Sequence, residues 1–376
     1  MTKAFTAMAV MQLKEKGLLD TADKVSKYLP QLKYGDKITL RDLLRMNSGI
    51  PEFTELPGFE TDIGRKHLSP LDSIAYIKDL PLLFEPGTQY SYSNINYIIL
   101  AYIVEKVSGI PYKDYLKKNI LEKADLKNTG VVSGEKVIEN LTYPYTLGYF
   151  NEVENAVFID MSVPFGTGDM YSTVDDIFAW DRIMYTDKLL SRKYMDEILS
   201  RGDVATDEKK NIYFCYGWVL REQSDYGKIY CYQGGINGGG SWISRFVDND
   251  STLIILTNFD EVPLPEISED LSAIMFGKRA DLPIFHRVVK LKEETLKKYL
   301  GKYKFESGME LEIIIKNGEP FIKAGTSEQP IFPENETSFY FKSALNACLN
   351  FSIADGKVTS VTFTQGKAKT QGTKTE

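Results

Sequence analysis

A chain of 376 residues with 43% hydrophobic and 26% charged side chains has the composition of a globular protein with a large core, and at ~150 residues per domain two domains are expected. Its formal net charge of −7, with no Lys/Arg cluster to offset it, argues against nucleic-acid and anionic-membrane partners and leaves small molecules or peptides as the expected ligands. Cys215, Cys231 and Cys348 show no C-x-x-C spacing and read as buried apolar side chains, so neither a disulfide framework nor a metal site is expected, and no cofactor is implied.

Residues 4 to 13, Ala-Phe-Thr-Ala-Met-Ala-Val-Met-Gln-Leu, are apolar almost all the way round and run into Lys14-Glu15-Lys16-Gly17, a polar tail with a glycine cap. This predicts a buried central helix at the very start of the chain. Such a helix needs walls on every side, so further strands or helices are expected upstream of Met1. Thr39-Leu40-Arg41-Asp42 has the form of a capping box, and Asn47-Ser48-Gly49-Ile50-Pro51 closes the helix it opens. Ser69-Pro70 caps another helix, Asn94 begins an apolar one ending at Gly109, and Ser172-Thr173-Val174-Asp175-Asp176 starts one that carries Trp180. The longest apolar run, Tyr97 to Val104, falls short of the ~18 residues needed to span a bilayer, so no transmembrane segment is expected. The start has no charged n-region or cleavage site: the chain as it stands reads as cytoplasmic, and as exported if a signal preceded it.

The pattern then changes to strands: Tyr213 to Leu220, Lys228 to Gln233, Ser241 to Val247 and Thr252 to Thr257, separated by Gly, Asn and Asp turns, predict an antiparallel sheet. Pro263 to Phe276 reads as a helix and Lys278 to Lys292 as a basic connector containing Pro283, which sets the expected domains at 1–285 and 286–376. From Tyr299 to Gln365 short alternating segments with turns at Lys316-Asn317-Gly318 and Ala354-Asp355-Gly356 suit a small closed β-barrel. The polar tail from Lys367 to Glu376 reads as mobile.

Several chemistries lose their entry points. The only two histidines, His67 and His286, have no candidate Ser, Cys or carboxylate beside them in sequence, and there is no G-x-S-x-G, G-x-x-x-x-G-K-[ST] or H-E-x-x-H. The run Gly234-Gly235-Ile236-Asn237-Gly238-Gly239-Gly240 lacks the following helix of a phosphate cradle and reads as a turn beside a strand.

Three separated motifs resemble those of the β-lactamase-related serine hydrolases, which include class C β-lactamases, D-alanyl-D-alanine peptidases and the CubicO group of esterases. The first is S-x-x-K, present as Met1-Thr2-Lys3 within Thr-Lys-x-Phe-Thr-Ala; the second is Y-x-N at Tyr92-Ser93-Asn94 within Phe84-Glu85-Pro86-Gly87-Thr88-Gln89-Tyr90-Ser91; the third, usually Lys or His, a small residue and Gly, falls at Tyr232-Gln233-Gly234. Leu40-Arg41-Asp42-Leu43-Leu44, Gly168-Asp169-Met170-Tyr171-Ser172-Thr173 and Tyr216-Gly217-Trp218 look like further landmarks of the same family. Singly, a Tyr-x-Asn is usually a helix start, a Lys at a helix N-terminus is usually solvated and a Tyr on a strand is usually packing; order and context carry the reading.

The resemblance implies an α+β fold, a serine β-lactamase/transpeptidase-like antiparallel sheet with helices whose N-terminal strands are missing here, leaving Leu253 to Leu256 as an uncovered edge through which the chain could self-associate. It also implies a small C-terminal lipocalin-like β-barrel, with Leu300-Gly301-Lys302-Tyr303 resembling its opening. The serine would stand immediately before residue 1. Lys3 and Tyr92 are then the implied catalytic pair, with Asn94, Tyr232, Gln233, Gly234 and Gly235 facing the substrate and an oxyanion donor on the Gly235 N–H. The implied function is acyl transfer on ester, amide or β-lactam bonds, in a chain inactive as given; the alternative is a non-catalytic relative that binds peptides or cell-wall fragments in the same cleft.

Overall fold

The computed structural model describes residues 1–134, 137–148, 152–280, 286–306, 308–325, 327–341, 344–365 and 368–375. Helix α1 spans Thr2–Glu15, and residues 2 to 13 are all buried. An apolar surface on every side forces burial from every side: Phe5 stacks on Trp180 with ring centroids 4.1 Å apart, and Met8, Val10 and Met11 are wholly enclosed. Each such large side chain contributes about 1.5–3 kcal/mol by leaving water. Beside α1 lies α4 (Asn94–Ser108), which ends at Gly109 in the left-handed region, φ +74°. Between them in sequence come α2 (Leu40–Leu44) and α3 (Pro70–Ala75), each opened by a capping box, Thr39 with Asp42 and Ser69 with Asp72. The helix from Thr39 is a single turn and a half, since Met46 already takes a positive φ of 58°.

The helices pack with a six-stranded antiparallel sheet of order β6-β5-β4-β3-β2-β1, where β1 is Ala205–Asp207, β2 Ile212–Phe214, β3 Val219–Arg221, β4 Ile229–Ile236, β5 Gly239–Phe246 and β6 Ser251–Thr257. The expected single strand from Tyr213 to Leu220 is two strands joined by a tight turn, because Gly217 sits at φ +73° against α1. A Cβ at Gly217 would lie 2.7 Å from the Lys3 carbonyl oxygen, so only glycine lets this turn meet the helix. Tyr230 and Tyr232 point from β4 into the helical core, whereas Ile229 and Cys231 join Phe246 in a second cluster, as strand alternation requires. The helix Val174–Ile183 is tied to the sheet by the buried Asp181 carboxylate, which accepts from Thr252 Oγ1 at 2.8 Å. On its outer side β6 pairs with no described strand.

The chain divides into compact units Met1–Ala280 and Asp281–Glu376; Pro283 lies outside the described residues. The second unit is a nearly closed nine-stranded antiparallel sheet filled by Tyr299, Tyr303, Phe305, Phe339 and Phe351. His286, expected to lack a carboxylate, meets Glu334 at 2.7 Å and stacks on Tyr340. The tail is no mobile appendage: Ala368–Lys374 is a strand hydrogen-bonded to both Gly301–Phe305 and Lys357–Gln365.

Candidate active site

The first turn of α1, the start of α4 and the middle of β4 meet at one place. Lys3, second residue of α1, is 3% exposed, and its ammonium donates to Asn94 Oδ1 at 2.8 Å and to the Thr167 carbonyl at 3.2 Å. Asn94 opens α4, and its backbone N–H donates to the Glu52 carboxylate, an anion held at a helix N-terminus. Tyr92, two residues earlier, donates its hydroxyl to the same Asn94 Oδ1 at 3.3 Å. Lys3 Nζ lies 5.0 Å from the centre of the Tyr92 ring and 5.9 Å from that of Tyr97. One amide oxygen thus serves both an ammonium and a phenol, and the phenol, 41% exposed, opens the group to solvent.

The opposite wall is β4. Tyr232 is buried, and its hydroxyl finds no hydrogen-bond partner; burial, reinforced by the neighbouring Tyr92, pushes its phenol well above the usual range. Gln233 points to solvent, paired across the ladder with Trp242. A Cβ on Gly234 would stand 3.0 Å from the Met1 nitrogen, so β4 passes directly beside the N-terminal end of α1. At Gly235 a Cβ would meet nothing within 4 Å.

Four contributors were not anticipated from sequence. Thr167 offers only its carbonyl, and Glu52 carries no motif. Gly217 braces the backbone of Lys3 and Ala4 from behind. Asp169, noted as part of a landmark without a role, is wholly enclosed: Oδ2 accepts the Gly166 N–H at 3.0 Å and Oδ1 has no partner. Burial raises its carboxyl to about 7, with the Lys3 charge pulling the other way. The same loop is held by Thr6, whose hydroxyl donates to the Gly166 carbonyl at 2.7 Å and meets Tyr112 Oη at 2.6 Å. Near the site a groove of about 180 Å³ is lined by Thr54, Phe59, Glu60, Gly64, Phe158, Ile159 and Asn237, the last just beyond β4. Among the described residues no three His, Cys, Asp or Glu side chains converge on a point that could hold a metal ion.

Residues 1–271 match the family model described as Beta-lactamase, and residues 286–375 match a domain of unknown function, DUF3471. Across its whole length the chain is 27% identical to Penicillin-binding protein 4* of Bacillus subtilis (strain 168), spanning 86% of that protein. Of two further relatives it spans about half, 50% and 54%. In fold it is similar to the octameric penicillin-binding protein homologue from Pyrococcus abyssi, with a TM-score of 0.67 at 22% identity over 98% of this chain and 86% of that one. It is also similar to a D-stereospecific amidohydrolase from Streptomyces, with a TM-score of 0.64 at 26% identity over 69% of this chain and 80% of that one. The chain belongs to the beta-lactamase family, with its β-lactamase/transpeptidase-like mixed fold, and serine-hydrolase acyl transfer is supported at the level of that family.

Proposed function

We propose that Lys3, Tyr92 and Asn94 form the proton-handling centre of an acyl-transfer site that acts on neutral esters or amides, with the attacking serine placed immediately N-terminal to Met1. The observation that carries this reading is the shared Asn94 oxygen, which puts an ammonium and a phenol within hydrogen-bond reach of one point. Three positions before Lys3 on a helix lies about 60° round the axis, so a serine there projects into the same cleft. Its hydroxyl is too weak a nucleophile at neutral pH and needs a base. Tyr92, as the phenolate beside the Lys3 ammonium, takes the hydroxyl proton as the serine oxygen bonds to the substrate carbonyl carbon. The tetrahedral oxyanion is held by the Gly235 N–H and the serine's own N–H. Tyr92 then returns the proton to the leaving alcohol or amine as its bond to the acyl carbon breaks. Water, deprotonated by the regenerated Tyr92 phenolate, bonds to the acyl carbon; the bond to the serine oxygen then breaks, that oxygen takes the proton back from Tyr92, and the acid leaves.

The 376 residues do not contain that serine, so by themselves they are expected to bind substrate without turning it over. Tyr232 stands where the resembling motif usually has a cation, and a phenol does not attract a carboxylate as a cation does. β-Lactams and acidic peptide ends are therefore poorer substrates in this reading than neutral acyl compounds. The test is a chain extended by serine before Met1. It should be labelled by a fluorophosphonate and hydrolyse a neutral nitrophenyl ester faster than its carboxylate-bearing counterpart, while Lys3→Ala and Tyr92→Phe lose both reactions. No labelling in a folded extended chain removes the hydrolase reading. The groove beside Asn237 favours a second reading, a non-catalytic cleft for peptides or cell-wall fragments, which predicts muropeptide binding by calorimetry with no turnover even in the extended chain.

A further inference from the structure

Buried tyrosine hydroxyls in this fold are generally satisfied: Tyr97 donates to the Leu44 carbonyl at 2.8 Å, Tyr230 to the Leu199 carbonyl at 2.9 Å, and Tyr303 to the Tyr299 carbonyl at 2.7 Å. Tyr232 is the exception among the described residues: its hydroxyl is enclosed and has no partner. A buried O–H left unmatched in a well-packed core needs an explanation, and a role in the chemistry of an adjoining site is one. The phenols of Tyr92, Tyr97 and Tyr90 adjoin it, the Phe214 ring closes one side with centroids 6.1 Å apart, and of the three phenols Tyr92 is the one oriented to hydrogen-bond with it. Tyr97 already spends its proton on Leu44, and the Tyr90 phenol is itself largely buried and pushed up to about 12. The phenol that can become an acceptor is therefore Tyr92, whose other face is turned to the Lys3 ammonium.

We infer that Tyr232 is a positioning residue for Tyr92: its O–H donates to the Tyr92 oxygen when Tyr92 has lost its proton, so that the phenolate is held between the Lys3 ammonium and a neutral donor. This rests on the acyl-transfer reading only for its use in turnover. Of the two adjoining phenols, the enclosed Tyr232 keeps its proton because ionising it would bury a charge. The remaining groups around Tyr92 are fixed: Lys3 from α1, Asn94 and Tyr97 from α4, Tyr90 on its own segment, and Glu52 committed to the Asn94 N–H. Among the described residues around Tyr92, Tyr232 is the one whose hydroxyl is wholly enclosed without a hydrogen-bond partner. The arrangement also keeps positive charge off the substrate-facing end of β4, in line with neutral substrates.

The test has two arms. In the 376-residue chain labelled with ¹³Cζ-tyrosine, the ionisation step abolished by Tyr92→Phe should move to higher pH in Tyr232→Phe and to lower pH in Tyr232→Lys, which replaces the neutral donor with a cation. In the serine-extended chain, Tyr232→Phe should displace the ascending limb of kcat/KM to higher pH with KM for a neutral ester nearly unchanged; one pH unit lowers kcat/KM about tenfold on that side. A Tyr92 step that stays in place in both Tyr232 variants overturns the inference, whether or not the extended chain turns over. A step that moves while the extended chain stays inert upholds the Tyr232 pairing and sinks the hydrolase reading instead. Tyr232→Phe keeps the ring that packs against Phe214, and Tyr232→Lys supplies a shift of opposite sign, so neither outcome reduces to loss of folding.

Discussion

Replacing Asp169 by Asn should make the protein's stability markedly less sensitive to pH. The carboxyl is fully enclosed and raised from 3.8 to about 7, chiefly by burial. A carboxyl raised on folding holds its proton more tightly in the native state. Its contribution is thus fully present below the unfolded value and is lost as pH climbs through the folded one. A difference of about three pH units corresponds to on the order of 4 kcal/mol, of which roughly 3 falls between about pH 5 and about pH 8. Asparagine keeps an oxygen for the Gly166 N–H and is the same size, but sets an amide where Oδ1 has no partner, a cost of about 1–3 kcal/mol that does not vary with pH. Urea unfolding of both proteins across that range should show the variant gaining on the wild type by roughly 3 kcal/mol as pH rises, and overtaking it near the alkaline end. A stability difference that is flat with pH, or that widens in favour of the wild type, would refute the assignment of a proton to this buried carboxyl.

Gly217→Ala should be costly, because this buried turn lies directly against α1. Its Cβ would sit 2.7 Å from the Lys3 carbonyl and 2.7 Å from Ala4 Cα at a positive φ, so both the strain and the displacement fall on the first turn of α1. We expect a loss of about 2–4 kcal/mol in thermal or urea unfolding, and, in the serine-extended chain, a kcat defect larger than the KM defect; a variant within ~0.5 kcal/mol of wild type would show that the turn does not brace the helix. The outer side of β6 pairs with no described strand, so self-association through Ser251–Thr257 is expected, and Ile255→Lys should shift sedimentation toward monomer; a monomeric wild type at high concentration would rule this out.

The helical half and the Tyr92–Asn94 turn were legible because their signals are local: an all-round apolar stretch, Ser and Thr before acidic residues, an aromatic-x-Asn before a long apolar helix. Glu52, Thr167 and Asp169 were not, since what they do is created by contacts with residues far away in the chain, as in Lys3 with Thr167 and Glu52 with Asn94. Gly217 was named only within the Tyr216-Gly217-Trp218 landmark; as an isolated glycine inside an apolar run it also signals a break, which the expected single strand from Tyr213 to Leu220 ignored. The last strand shows the opposite failure. Its inward position at Gly372 carries no side chain because the Phe305 ring fills that space, with a Cβ there falling 2.9 Å from the ring. The hydrophobic alternation that would have announced a strand is supplied by the neighbouring strand instead.

The carboxylate of Glu52 fastens the loop that precedes Thr54 and Phe59 to the first amide of the helix bearing Asn94. Whatever side chain lodges beside Phe59 therefore leans on the same short tether that sets the pose of the proton-transfer pair. In the acyl-transfer reading, recognition and turnover share this tether, so remodelling the groove to admit a bulkier acyl group should retune rate along with fit.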